Sequence, residues 1–494
     1  MVRRVLLALI VLLAVAAGAV YWFFSGDGMR RALERQASAW LGQPVAIASA
    51  TARVFPRIGV QLRNVRVGKP AHLSLADVEV STGLRALLSR RVEDAELIVS
   101  NSRIALPLPF AIPTTETTPA AQSPSTAFTV ASIREITLSD VRVASRGREI
   151  LVSATSSLAG DRLIIDGFTA RSGATAVNAR GVVDLAPRID AKLEAAANRL
   201  DLDDLMALAD AFTPEQSTRR SGPAFAGRIE AKLTAAEGTA AGVQMKKLAA
   251  NVVARGNHVT LSPMSFEVFG GTSTATLEAE LGTLLSVALN ARINALDVAQ
   301  LAAFGNSAGT ITGRLTGEGR LTGRGRDFAG ALANASGSGT AAIADGTMRG
   351  LQVVRTVVLF FGRPASDAPA SGGERFERMA TNFTLARQVL RAESLTLESQ
   401  DFDVAAAGSL TIPSKALEGR GNLLLSEALS AQAGTDLVRF TREGNRVVLP
   451  ALIGGTIAAP RVTIDAAAAA RRGLRNEVER RMKGIFDRFK PPPQ

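Results

Sequence analysis

Apolar and polar positions along this chain change period repeatedly, and each change marks an element. After Met1-Val2-Arg3-Arg4, the run from Val5 to Phe24 carries no charge, and none follows until Asp27. About 20 such residues form a helix about 30 Å long, the hydrocarbon thickness of a bilayer. Val5, Leu9, Leu13 and Val20 belong to this expected anchor, with Tyr21 and Trp22 at headgroup level, where amphipathic rings concentrate. Arg3 and Arg4 would hold the N-terminus in the cytoplasm. A cleaved signal peptide is the alternative, since the small residues of 14–19 suit a signal peptidase, although the run exceeds the usual core of about 7–15 residues. Both readings export the rest of the chain.

From Met29 to Leu41 the period is helical, with Leu33, Ala37 and Trp40 on one side and Gly42 as the stop. It then becomes two. Val60-Gln-Leu62, Val65-Arg-Val67, Leu73-Ser-Leu75 and Val78-Glu-Val80 alternate, a short helical stretch intervenes at 84–88, and Leu97-Ile-Val99 resumes. Strand patterns recur to Val462-Thr-Ile464, interrupted by Pro/Thr/Ser-rich or Gly-rich breaks; 351–361 reads as a short apolar helix or buried strand. The expected organisation is an anchor (1–26), a first β segment with its leading helix (27–110) and a linker (111–127). Central β repeats (128–362), a loop (363–373), a last β segment (374–465) and a basic amphipathic helix with its tail (466–494) follow. An internal echo supports repetition: Leu200-Asp-Leu202-Asp-Asp-Leu205-Met-Ala-Leu208 resembles Leu296-Asp-Val298-Ala-Gln-Leu301-Ala-Ala-Phe304.

Composition sharpens this picture. Aromatics make up 5% of the chain, so apolar content rests on Ala, Val and Leu, which favours thin layers over one thick core. There is no cysteine, and hence no disulfide staple for an exported chain. A net charge of +12 on an exported protein points to anionic membrane surfaces more than to nucleic acid, although a solvated Arg-rich surface fits equally.

An antiparallel sheet with one apolar face must bury it. This chain has many strands and few helices to cover them, so sheets either pack as sandwiches or form a trough filled by external hydrocarbon. Composition leaves both open. The residues expected to line the apolar face are Leu62, Val65 and Val67 near the start, then Ile136, Leu138, Leu163 and Ile165. Val259, Leu261, Val287 and Leu289 continue it through the middle, and Leu395, Leu397, Val462 and Ile464 towards the end.

Several motifs bear on this choice. The anchor, Gly42-Gln-Pro-Val45, Phe55-Pro-Arg-Ile-Gly-Val60, Asn64-Val-Arg-Val-Gly68 and Leu75-Ala-Asp-Val78 resemble the start of the AsmA family of bacterial envelope proteins. Gly339-Thr-Ala-Ala-Ile343-Ala-Asp-Gly-Thr-Met-Arg-Gly350-Leu351 and the stretch from Val448 to Val462 are similar to that family's C-terminal region. The resemblance implies a mainly β chain: an N-terminal transmembrane helix, then an elongated, curved antiparallel groove with a few short helices and a C-terminal amphipathic helix. It implies a single-pass protein of the bacterial inner membrane, its bulk periplasmic, carrying phospholipid acyl chains towards the outer membrane and maintaining envelope integrity. The alternative is a periplasmic assembly or scaffold factor for outer-membrane proteins. The expected partners are phospholipid acyl chains, the inner membrane and an outer-membrane or periplasmic protein at the C-terminal end, without nucleic acid and without a cofactor.

No catalytic constellation assembles, and the chain is not expected to be an enzyme. His72 and His258 are far apart, and a zinc site needs three or four convergent ligands. Asp201, Asp203 and Asp204 precede an apolar helical pattern, so N-capping explains them, with Asp297 as the echo. Gly317, Gly319, Gly323, Gly325 and Gly330 lack a P-loop Lys-Ser/Thr and read as turns or thin strands. Leu474, Val478, Met482, Ile485, Phe486 and Phe489 recur at helical spacing among arginines. That helix would either close the end of the β array or lie on a membrane or partner.

Overall fold

The computed structural model describes residues 27–488 apart from 54–56, 70, 84–90, 106–128, 131, 146–147, 187, 203, 205–226, 363–372, 433–440 and 444. The expected anchor, the helical stretch at 84–88, the 111–127 linker, Phe489 and the C-terminal tail lie outside the described residues. Among the described residues no helix is long and apolar enough to cross a membrane. The chain divides into two compact units between Ser262 and Pro263. Both are mainly β.

The first unit opens with helix α1 (Asp27–Leu41). Its strands are β1 (Val45–Arg53), β2 (Ile58–Val67), β3 (Leu73–Thr82), β4 (Arg91–Val92), β5 (Ala95–Ser100), β6 (Arg103–Ala105) and β7 (Thr129–Val130). They continue as β8 (Ser132–Ser145), β9 (Arg148–Ala159), β10 (Arg162–Ser172), β11 (Thr175–Asp184), β12 (Ile189–Asp201), β13 (Gly227–Ala240) and β14 (Val243–Arg255). Neighbours pair antiparallel, except that β8 runs parallel to β5 and β6, and β13 parallel to β12. The short β4 and β7 form a separate parallel pair.

Strand β15 (His258–Val268) crosses the division. The second unit holds β16 (Gly271–Glu280), β17 (Leu285–Asp297), helix α2 (Val298–Phe304), β18 (Arg314–Gly325), helix α3 (Phe328–Ala333) and β19 (Ser336–Met348). Next come helix α4 (Val353–Phe360), β20 (Glu374–Ala386), β21 (Val389–Glu398), β22 (Phe402–Thr411), β23 (Ala416–Leu425) and helix α5 (Glu427–Ser430). It ends with β24 (Arg442–Glu443), β25 (Arg446–Thr456), β26 (Ala459–Ile464) and helix α6 (Ala466–Arg488). The apolar stretch at 351–361 is therefore a helix.

The short alternating stretches legible in the sequence lie within longer strands. Most strands run from 10 to 14 residues because flanking Ala, Thr, Ser and charged residues extend the ladders. The apolar spacing slips by one between Leu62 and Val65, Leu138 and Val141, and Ile293 and Leu296. Asn64 (φ 50°), Asp140 (φ 54°) and Ala295 (φ 52°) occupy these slips with left-handed backbone. Asp140 and Ala295 lie at shifts in the pairing register. One extra residue in a strand turns the following side chains back to the same face. Asn and Asp tolerate that conformation better than most residues.

The repeat is metrically regular. Strands β10, β11 and β12 have counterparts in β15, β16 and β17, each boundary 96 residues further on (162 to 258, 201 to 297). Asp297 caps α2 by accepting the Ala299 N–H at 2.9 Å. At the matching position Asp201 accepts the Asp204 N–H at 3.4 Å. Asp204 departs from the capping expectation. It is buried, and its carboxylate accepts hydrogen bonds from Ser172 (3.1 Å) and Thr175 and pairs with Arg148. It thereby ties the end of β12 to β9, β10 and β11.

Helix α1 guards the edge strand β1. Leu33 and Ala37 pack on Val45, Ile47, Val65 and Val67. Glu34 accepts the Ile47 N–H at 2.8 Å and Ser38 the Val45 N–H at 2.9 Å, occupying donors that an open edge would offer to another strand.

Candidate functional site

Following the registers strand by strand separates two faces. In the first unit one row reads Ala50, Leu62, Val78, Val99, Leu138, Ala154, Phe168, Ala179, Ala195, Leu233, Ala250. Each member lies opposite the next on a neighbouring strand, so an apolar stripe runs about 50 Å along the sheet at about 4.8 Å per strand. The other face carries charge ladders such as Arg180–Glu194 (2.9 Å) and Arg199–Glu237 (2.8 Å). Arg180 holds the exposed Glu194 carboxyl below its usual range. Exposed pairs like these add little stability, so their main effect is to keep that face wet.

The second unit has the same partition with smaller side chains. Its central row is Ala275, Ala291, Gly319, Gly339, Phe383, Ala392, Gly408, Gly419, Ile453, Val462. The adjacent row includes Ile293, Gly317, Ala341, Thr381, Leu395, Ala406, Gly421, Ala451 and Ile464. In β18 this face is glycine at every second position save the leucines 315 and 321, while Arg, Thr and Glu face the other way.

On this apolar face a cavity of about 260 Å³ opens between β20 and β26. Met379, Leu395, Leu397, Val404, Leu423 and Val462 are among its walls, and almost no polar surface lines it. Small-ligand sites are typically concave and largely apolar, at roughly 300–1,000 Å³, so this one suits a slender apolar guest. Glycine and alanine at 406, 408, 419, 421 and 451 make the space, because no larger side chains rise from those strands.

One end is closed by a packed core. Val353, Val357 and Val358 of α4 and Leu429 of α5 bury against Phe402, Leu425, Val447 and Leu449. Leu351 and Val353 reach the cavity itself. The cap of α4 comes from across the fold: Gln352 makes no side-chain capping bond, and Glu374 accepts the Val354 N–H at 3.1 Å. Burial pushes the Glu374 carboxyl above its ordinary value of 4.5, opposed by that backbone N–H.

The expected lining residues divide into distinct surroundings. Leu395, Leu397 and Val462 come together at the cavity, and Ile464 packs beside its core. Leu62, Leu138 and Ile165 are half-buried on the first unit's face, as are Ile136 and Leu163. Val65 and Val67 are sealed beneath α1. Val287 and Leu261 are buried, and Val259 and Leu289 are half-buried. Leu474, Val478 and Met482 of α6 are exposed; the side chains of Ile485 and Phe486 lie outside the described residues. Sequence reading missed Phe383, Glu374 and the small residues of β22 and β23. In Val404-Ala-Ala-Ala-Gly408 alanine occupies both faces, so the period of two carries no signal there.

His72 immediately precedes β3, and His258 begins β15. Among the described residues no three His, Asp or Glu converge to hold a metal ion. No protein-family model matches the chain, and no curated protein or solved structure matches it either.

Proposed function

We propose that this protein binds phospholipid acyl chains along the apolar face of its sheet. In this reading it is anchored in the bacterial inner membrane by residues 5–24 and carries phospholipid through the periplasm towards the outer membrane. The cavity in the second unit carries the reading: about 260 Å³ on one sheet face, with almost no polar lining. The AsmA-like motifs at both ends of the chain support it. Such a carrier needs no covalent step. Val, Leu, Ile and Ala replace bilayer hydrocarbon around the chain while the headgroup stays in water, so transfer costs little apolar hydration.

The test is mass spectrometry of organic extracts from purified wild type, Leu138→Glu and Leu395→Lys. Both altered side chains are half-buried, so each variant should fold. Bound phospholipid in the wild type and its loss from folded variants is the expected result. A wild-type protein free of lipid, or variants that retain it in full, would sink the proposal, and lipid-free wild type would leave the scaffold reading standing.

A further inference from the structure

Phe383 stands at the border of the cavity. It follows Thr381 as the next side chain on that face of β20 and lies opposite Ala392, and both neighbours line the cavity. Its ring points the other way, over β19 and β18. A Cβ added to Gly339 would come within 2.8 Å of the Phe383 Cζ, and one added to Gly319 within 3.7 Å. The floor beneath the ring is therefore glycine, extended by Gly317 and Gly337 in the adjoining rows.

An aromatic ring over a strand glycine can simply fill space, as Phe376 does over Gly346. Phe376 is 3% exposed within the core under α4. Phe383 is half-buried and lies between the cavity-lining Ala392 and the glycines of β19 and β18.

We propose that Phe383 sets the length of the acyl chain this site accepts. A chain lying in the cavity meets the ring at β20. Without the ring it continues over Gly339 and Gly319, a gain of two strand spacings, roughly 10 Å. The inference rests on the acyl-chain reading above and adds chain-length selection to it.

The experiment measures binding of a homologous series of straight-chain fatty acids to the full chain, by displacement of a fluorescent fatty acid, for wild type, Phe383→Leu and Phe383→Ala. Circular dichroism melts establish that each is folded. Wild-type affinity should climb roughly fourfold per added methylene and then level off. In Phe383→Ala the plateau should move to longer chains, with Phe383→Leu in between. Since leucine keeps apolar cover over the glycines, it serves as the test should the alanine variant unfold. Binding in all folded proteins with an unmoved plateau overturns the role of Phe383 and leaves the acyl-chain reading intact. A wild-type protein that binds none of the series overturns both.

Discussion

The Lys415 ammonium donates to the carbonyl oxygen of Asn306 at 2.7 Å, joining residues 109 apart in the chain. The two lie at opposite ends of the ladders. Asn306 follows α2 beyond Asp297, whose row runs through Arg314, Ala344 and Arg378 to Glu398 and Asp403. Lys415 precedes Ala416, in the row of Ala386, Val389 and Thr411 at the other end. The sheet must coil to bring them together, and a Cβ added to Gly350 would lie 3.4 Å from the Pro460 Cδ, in keeping with the same closure. This coiling turns one face of the second unit into a cavity.

Replacing Lys415 with Met removes that donor while keeping most of the stem. The bond is exposed, so chemical denaturation should show a loss of about 1 kcal/mol with an unchanged m-value. A loss near zero would mean that coiling is held by apolar packing alone.

Glu374 makes stability depend on pH in a definite direction. Below the unfolded value of 4.5 the carboxyl is protonated in both states and costs nothing. As pH rises through its elevated folded value, the folded state bears the cost of burying the charge, so this contribution to stability declines. Glu374→Gln keeps an acceptor for the Val354 N–H and removes the charge. The variant should lose that decline, gaining on wild type as pH rises from 4.5 towards 7 in melts taken across the range. Parallel profiles would show that the charge is already fully solvated.

Asp204 unites Arg148, Ser172 and Thr175 at a buried position. Asp204→Ala takes the shared acceptor from the Ser172 and Thr175 hydroxyls and one partner from the part-exposed Arg148, and should cost roughly 2–4 kcal/mol. A cap role alone would cost about 1 kcal/mol, so urea titration distinguishes the two.

Gly323 has no room for a side chain because α3 packs directly on it. An added Cβ would strike the Ala331 carbonyl oxygen, a backbone atom that moves only with its helix. Gly323→Ala should destabilise by about 1–3 kcal/mol. Gly454, with open space at its Cβ position, is the control: its alanine variant should be near neutral. Similar costs at both sites would show that α3 yields freely.

What the sequence by itself determined is whatever repeats locally. Alternation at period two marked the strands, and the echo between 200–208 and 296–304 marked a repeat that the structure measures at 96 residues. The apolar face was legible where Leu, Ile and Val announce it, as at Leu138 or Leu395. It was silent where Ala and Gly serve both faces, as in β22. Tertiary structure alone decided which parts of that face are sealed, Val65 and Val67 by α1 and Gly323 by α3. It also decided that Glu374 caps a helix starting 21 residues earlier, and that Asp204 closes a polar cluster rather than a helix end. The reason is physical. Side-chain periodicity is set by neighbouring dihedrals, whereas coiling accumulates over many strands and bulges and shows only when distant residues such as Asn306 and Lys415 meet.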